Sequence, residues 1–291
     1  MKKILVIGAN GMAGHVVKTY LEEETTWDVR GLARTCESMG NCVALDVTDL
    51  QQLEFLLHSE RFNIVVNCVG ILNKDAENNI DKAVWLNSYF PHRLSQLGVI
   101  NNFRLIHIST DCVFAGKSKG GYTEDAAKDG IGYYAQSKAL GEVINGRDLT
   151  IRTSIIGPEL KETGIGLFHW FMSQPESVHL KGFTRAYWTG VTTLVLARAI
   201  REAIEQNLTG LYHLVYAEKI SKFDLITLFN RIFRGGDISI DPEENYKVDK
   251  SLINTRTDFD FVVPGYEDML LEMKKWMEHH SEKYVAYYNC K

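Results

Sequence analysis

Through its first half the chain alternates short apolar runs with longer stretches that are apolar on one side only. The runs at residues 4–7, 29–33, 43–45, 64–66, 105–108 and 149–152 are mostly uninterrupted, the pattern of parallel strands buried on both faces. Between them, residues 14–23, 50–58, 79–97 and 134–144 carry apolar positions at helical spacing. This alternation predicts right-handed crossovers and an α/β fold, a doubly wound parallel sheet of the Rossmann type. Past Gly157 the pattern loosens, predicting helices at 167–172, 191–206, 221–233 and 267–283 and one strand at 211–216. The expected organisation is a larger domain at 1–156, to which 186–216 returns, and a smaller C-terminal lobe at 157–185 and 217–291 lying over the strand ends.

Composition fits a folded protein of this kind. The 291 residues, 45% of them hydrophobic and 24% charged, can bury one large core or two joined ones. A net charge of -5 without a basic stripe argues against nucleic acid as a partner. The five cysteines, Cys36, Cys42, Cys68, Cys112 and Cys290, are odd in number and lack Cys-x-x-Cys spacing. Neither a disulfide framework nor a metal site is expected, and a reducing cytosol fits best. No run approaches a membrane span, and Lys2-Lys3 leads straight into the first strand rather than into a signal-peptide core. The expectation is a cytoplasmic protein without a membrane partner that begins where the sequence does.

The first strand ends in Gly8-Ala9-Asn10-Gly11-Met12-Ala13-Gly14. There Gly8 permits a tight exit, Gly11 lets the backbone approach a pyrophosphate, and Gly14 lets the next helix pack close to the sheet. The amides at that helix N-terminus face the phosphates. Which dinucleotide binds depends on the end of the second strand, Arg30-Gly31-Leu32-Ala33-Arg34-Thr35, which has no carboxylate for a ribose 2'-hydroxyl. Arg34 offers a guanidinium to a 2'-phosphate, with Arg30 less well placed, so NADP(H) is preferred and NAD(H) remains admissible. The plain alternative is that Arg34 is a solvated loop arginine.

Thr110 closes a buried strand ahead of Tyr134-Ala135-Gln136-Ser137-Lys138. The spacing puts a phenol and an ammonium one helical turn apart on one face. A free phenol has a pKa of about 10, so Tyr134 needs positive charge, from Lys138 and an oxidised nicotinamide, to exchange a proton with a carbonyl near neutral pH. Thr110 would donate to the same oxygen, and Lys138 would also hold the nicotinamide ribose. Tyr246 with Lys250 repeats the spacing, but Tyr246 follows Asp241-Pro242-Glu243-Glu244 in a polar stretch and reads as a surface residue.

The stretch Ser109-Thr110-Asp111-Cys112-Val113-Phe114-Ala115-Gly116, then Tyr122-Thr123-Glu124, then Tyr134-Ala135-Gln136-Ser137-Lys138-Ala139-Leu140-Gly141-Glu142 resembles the extended short-chain dehydrogenase/reductase superfamily. Within it, the closest likeness is to the dTDP-4-dehydrorhamnose reductases. Their catalytic threonine, tyrosine and lysine fall on Thr110, Tyr134 and Lys138. Cys112 stands where that family has tyrosine, Ala135 where it has glycine, and Val248 to Leu252 match its substrate-lobe motif only in part.

The resemblance implies an NADPH-dependent reduction of the 4-keto group of a deoxy-nucleotide sugar, for deoxysugar and surface-polysaccharide synthesis. It implies further cofactor contacts from Asp46, Val47, Cys68, Val69, Gly70, Asn87, Ser109, Thr153 and Ile155. Substrate contacts are expected from Asp111, Val113, Phe114, Ser154, Arg185 and Trp188, with Tyr187 beside them. For Arg185 a surface role is an equal alternative, and Tyr187 and Trp188 also read as lobe-interface aromatics. Superfamily members often form homodimers through two helices, here 79–97 and 134–144. Dehydratases follow the threonine with Asp-Glu, absent here, and the missing acid after the second strand argues against an epimerase with tightly held NAD. The alternatives left open are an NADP-binding regulatory subunit resembling that of methionine adenosyltransferase, or another nucleotide-sugar epimerase or reductase.

Overall fold

The computed structural model describes residues 1–36 and 40–288. Seven parallel strands form the main sheet: β1 (Lys3–Ile7), β2 (Asp28–Ala33), β3 (Cys42–Ala44), β4 (Ile64–Asn67), β5 (Arg104–Thr110), β6 (Leu149–Thr153) and, in chain order the tenth strand, β10 (Gly210–His213). Their spatial order is β10-β6-β5-β4-β1-β2-β3, and every neighbouring pair runs parallel. The connection reverses direction between β1 and β4. Ligands of open α/β sheets bind at the strand C-termini beside such a switch.

Strand alternation explains the two cores. Ile4 and Val6 of β1 pack with α1 (Met12–Glu24) and α8 (Thr193–Glu205) on one face. Leu5 and Ile7 pack with α2 (Leu50–Glu60) and α5 (Phe90–Asn101) on the other. A buried strand must be apolar on both sides, which is why these runs read as continuous. Between the short helices α3 (Asn73–Asn78) and α4 (Ile80–Ala83) and α5, residues Val84–Tyr89 wind as a π-helix. This places Asn87 against α6 (Tyr133–Leu140).

The second half departs more from the sequence reading. A three-stranded sheet, β11-β8-β12, is built from β8 (His179–Trp188), β11 (Ile220–Ser221) and β12 (Ser239–Asp249), with β8 and β12 parallel. Neither long strand was expected. On β8 the exposure alternates residue by residue, so polar Lys181 and Arg185 sit opposite buried Leu180, Gly182 and Ala186. Such a half-exposed strand lacks a continuous apolar run. It runs unbroken to Trp188; β9 (Val191–Thr192) then forms a separate two-stranded sheet with β7 (Ile155–Ile156), and the chain rejoins the large sheet at β10. The third core joins α7 (Leu167–Met172), α9 (Lys222–Phe233) and α10 (Tyr266–His279) to β8.

Two other expectations change. Cys36 and Cys42 form a disulfide with Cα atoms 5.8 Å apart. They flank the turn between adjacent parallel strands β2 and β3, which brings residues six apart face to face. Cysteine usage therefore no longer argues for a reducing compartment, and Cys290 lies outside the described residues. Among the described residues no helix is long and apolar enough to cross a membrane, and no cluster of metal-ligating side chains occurs.

Candidate active site

The glycine loop is a cradle shaped by backbone. Gly8 has φ +84°, the left-handed region, and a Cβ there would meet Val69 at 3.0 Å. A Cβ on Gly14 would lie 2.1 Å from the Gly8 carbonyl oxygen, so α1 can approach the loop only as glycine. Helix α1 begins after Gly11 with no side-chain cap and no acid in its first turn, leaving its first amides to an anion. His15 secures this end: burial lowers its pKa to about 4, and the neutral ring bonds the Gly11 carbonyl at 2.8 Å and the Tyr284 hydroxyl at 3.0 Å.

A cavity of about 960 Å³ opens from this loop. Gly8, Asn10, Gly11, Arg34, Asp46, Val47, Cys68, Val69 and Gly70 all line it. Arg34 and Thr35 form its outer edge, with Arg34 exposed, while Arg30 is paired with Glu60 at 2.9 Å. Asp46 has its carboxylate pKa lowered by hydrogen bonds from Thr48, at 2.9 and 2.8 Å, with Arg34 adding a weaker pull. At the inner end, a Cβ on Gly70 would lie 4.0 Å from Lys138 Nζ. An extended dinucleotide fits this shape: amides at one helix end, a cation at the outer edge, and Lys138 just behind Gly70 at the far end.

Thr110 leaves β5 at its C-terminus and Tyr134 and Lys138 rise on α6 beside it. The Thr110 hydroxyl accepts from the Cys112 amide at 3.1 Å and donates to Asp111 at 3.2 Å. Burial pushes the Tyr134 phenol above its ordinary value, Cys112 and Asp111 add to this, and a hydrogen bond with Thr110 opposes it. The expectation that Lys138 brings the phenol down is not met in the protein alone, because burial dominates and the ammonium points to the backbone. Lys138 Nζ donates to the Ile108 carbonyl at 2.7 Å, and burial lowers its pKa to about 8.

His107, missed in the sequence, accounts for part of this environment. Its ring lies 3.5 Å from Lys138 Nζ. Asn67 accepts from the Val69 amide at 3.1 Å, so its NH₂ faces His107 Nδ1 at 3.2 Å and the ring proton sits on Nε2, toward the lysine. Burial first, then the Lys138 charge, hold His107 well below the ordinary imidazole pKa.

Several expected contacts spend their polar atoms inside the protein. Asn87 donates to Ile71 and Ser137 at 3.0 and 3.1 Å and accepts from the Ile71 amide at 3.0 Å, so it clamps the cavity loop to α6. The Ser109 hydroxyl turns away to Glu142 at 2.8 Å, and that of Thr153 donates to the Leu214 carbonyl at 2.7 Å. Met12 opens α1 near Gly166, and Ile155 is half-buried in β7.

The substrate expectations divide in the same way. Asp111 is buried beside Thr110, and Trp188 is buried at the end of β8. Val113 and Phe114 are instead fully buried in a small core in which Phe114 stacks on Tyr122 at 4.1 Å, because the turn after Thr110 folds them inward. Ser154 uses its carbonyl to accept from Val191, and Arg185 stands on the exposed face of β8. The thiols of Cys68 and Cys112 are raised to about 12 and about 11 by burial, so neither is a thiolate.

The family described as the RmlD substrate binding domain matches residues 1–246. The chain belongs to this family. A probable low-salt glycan biosynthesis reductase of Haloferax volcanii is 27% identical over 81% of this chain and 81% of its own length. A dTDP-4-dehydrorhamnose reductase of Aggregatibacter actinomycetemcomitans is 26% identical over 53% of this chain and 51% of its own, so that match spans about half of each protein. Among solved structures, a dTDP-4-dehydrorhamnose reductase from Bacillus anthracis in complex with NADP superimposes with a TM-score of 0.82, at 20% identity, over 95% of this chain and all of the other. A hypothetical enzyme of that name from Sulfolobus tokodaii gives 0.75 at 26% identity over 92% and 98%. The membership covers the whole cofactor-binding sheet and the site built on it.

Proposed function

We propose that this protein is an NADPH-dependent reductase of a 4-keto deoxy-nucleotide sugar, serving synthesis of a deoxysugar-containing surface glycan in the cytoplasm. The observation that carries the reading is the constellation of Thr110, Tyr134 and Lys138 where β5 meets α6, next to a cleft that begins in the glycine loop and whose lining residue Gly70 lies against Lys138. Bound NADPH supplies the hydride. The protein does the rest. Its helix-end amides and Arg34 hold phosphates, and Asn87 keeps the loop under the cofactor fixed to the catalytic helix.

Tyr134 donates the proton that turns the keto oxygen into a hydroxyl, and Thr110 donates a hydrogen bond to the same oxygen by releasing Asp111. A phenol raised by burial is a poor acid until positive charge arrives. Lys138, bonded to the Ile108 carbonyl, would act by holding the nicotinamide ribose, whose oxidised ring would supply that charge to the phenolate left behind. The β8–β12 sheet with α9 is the lobe that would hold the sugar nucleotide.

Loss of NADPH absorbance with dTDP-4-keto-6-deoxy-L-mannose, in wild type and Tyr134→Phe, tests the reading. Phenylalanine should lower kcat by about 10²–10⁴ and leave NADPH affinity unchanged. Tight NADPH binding without turnover of this or any other keto sugar nucleotide would overturn it and leave a binding subunit as the better description.

A further inference from the structure

Two lysines from the small lobe approach the catalytic centre, Lys222 outside any motif and Lys250 within the partly matched stretch Val248 to Leu252. Lys222 opens α9 directly after β11, which pairs with Tyr187 and Trp188 at the end of β8. Its ammonium lies 5.3 Å from the centroid of the Trp188 ring and has no hydrogen-bond or ion-pair partner among the described residues. Lys250 follows the last residue of β12, its stem passing Gly116, where an added Cβ would be 2.8 Å from Lys250 Cγ. Tyr246 is exposed, as its polar stretch implied, whereas the stem of Lys250 lies against the loop that follows Thr110.

Both cations lie within electrostatic range of one carboxylate. Asp111 is buried, and burial raises its pKa while Lys250 and Lys222 oppose the rise. Burial also lowers the Lys222 ammonium to about 8, with Asp111 and Cys112 pulling the other way. The neighbouring Trp188 is 2% exposed, and its indole N–H is buried with no acceptor. Two ammoniums and an indole N–H against a single carboxylate leave donors and positive charge in excess. Buried donors without acceptors are costly, and an acceptor-only anion relieves that cost.

We propose that Lys222 and Lys250 form an anion subsite beside Thr110 that recognises a negatively charged group of the substrate, either the diphosphate of the sugar nucleotide or a carboxylate on the sugar ring. The two sources share one chemistry, oxygens that only accept. The proposal rests on the sugar-nucleotide reading for the identity of the ligand, but its test does not need turnover.

The NADP-loaded full chain is titrated calorimetrically with UDP against uridine, reporting the diphosphate, and with UDP-glucuronate against UDP-glucose, reporting a ring carboxylate. Lys222→Gln and Lys250→Gln should each weaken the anionic member of one pair about tenfold, in line with a lost charge-assisted hydrogen bond, with its neutral counterpart and NADPH unaffected. Thermal melting confirms that the variants fold, and Lys222→Arg should restore binding in part. The responding pair identifies the source. Unchanged affinity in both pairs, or a wild type that binds no member of either, overturns the subsite. Lysine-dependent anion binding without reduction of any keto sugar would instead remove the reductase reading and leave the subsite standing.

Discussion

Lys138 should be a residue that the fold would be more stable without. It is 4% exposed, its ammonium has one hydrogen bond, to the Ile108 carbonyl, and it faces the N–H edge of His107. Lowering its pKa from 10.5 to about 8 corresponds to about 3 kcal/mol favouring loss of the proton in the folded state, at ~1.4 kcal/mol per pKa unit. The sign follows from proton counting. Below the folded value both states hold the proton and the folded state bears the full penalty. Between the folded and unfolded values the unfolded chain holds more protons, so this contribution makes stability rise with pH. Above the unfolded value the penalty is gone.

Lys138→Met removes the buried charge and gives up one hydrogen bond of about 1 kcal/mol, which leaves a net gain of roughly 1–2 kcal/mol near neutral pH. The gain should shrink as pH rises from about 8 to 10.5. Once the wild-type lysine is neutral in both states, it should give way to a loss of about 1 kcal/mol, the missing hydrogen bond. Urea unfolding of wild type and variant across that range measures it, and the same samples should show activity lost. A variant less stable than wild type near neutrality, with a gap that does not move with pH, would refute the claim that burial of the charge governs this site.

Three further outcomes follow from the same structure. Arg34→Gln should weaken NADPH about three- to thirtyfold and leave NADH unchanged, a charged hydrogen bond reduced by the solvent exposure of that edge; fluorescence titration decides, and equal losses would mean Arg34 only shapes its loop. Gly14→Ala, whose Cβ would sit 2.1 Å from one backbone oxygen and 2.7 Å from the adjoining carbon, should lower stability by about 1–3 kcal/mol and impair NADPH binding, and an unchanged melting temperature would contradict it. For Glu142, burial works against the charge, but Arg152, Lys128 and Ser109 outweigh it and lower the pKa. Glu142→Gln should therefore cost about 3–5 kcal/mol near neutrality by stranding Arg152. In denaturant titrations the deficit should narrow in acid, as the wild-type carboxylate also takes up a proton.

What was legible in the chain was whatever depends on local spacing. The runs at β1, β2 and β4 are apolar on both sides because both sides are buried, and glycine at positions 8 and 14 is demanded by one carbonyl and one turn. Thr110, Tyr134 and Lys138 were visible because a strand end and a single helical turn suffice to align them. The direction in which a short polar side chain turns was not visible. Ser109 and Thr110 are adjacent on β5, yet alternation sends one to Glu142 and the other to the site. Cys36 and Cys42 meet only because β2 and β3 are neighbours. Lys222 opens a helix in no recognisable pattern, and for Lys250 neither the Tyr246 spacing nor the partial motif around it shows which way its side chain turns.

The contacts that hold the catalytic groups separate along the same line. Asn87 ties Ile71 to Ser137, Lys138 is fixed to Ile108, and Glu142 receives Arg152 at 2.8 and 2.7 Å, with Arg152 passing on to His213 at 2.7 Å. All of these lie on the large sheet or the helices packed against it. The network crosses over at His213: its Nδ1 donates to the Ile253 carbonyl at 2.9 Å, and its amide donates to Glu124, which also accepts from Thr255, with Ile253 and Thr255 both just beyond β12. The proton-transfer geometry is thus set before the small lobe contributes anything, whereas Lys222, Lys250 and Trp188 come from that lobe alone. On the proposed roles, reaction and substrate choice would be carried by different parts of the chain. Changes in the small lobe can then redirect which sugar is bound at little cost to the machinery, which is how one constellation of threonine, tyrosine and lysine can serve different keto sugars within a family.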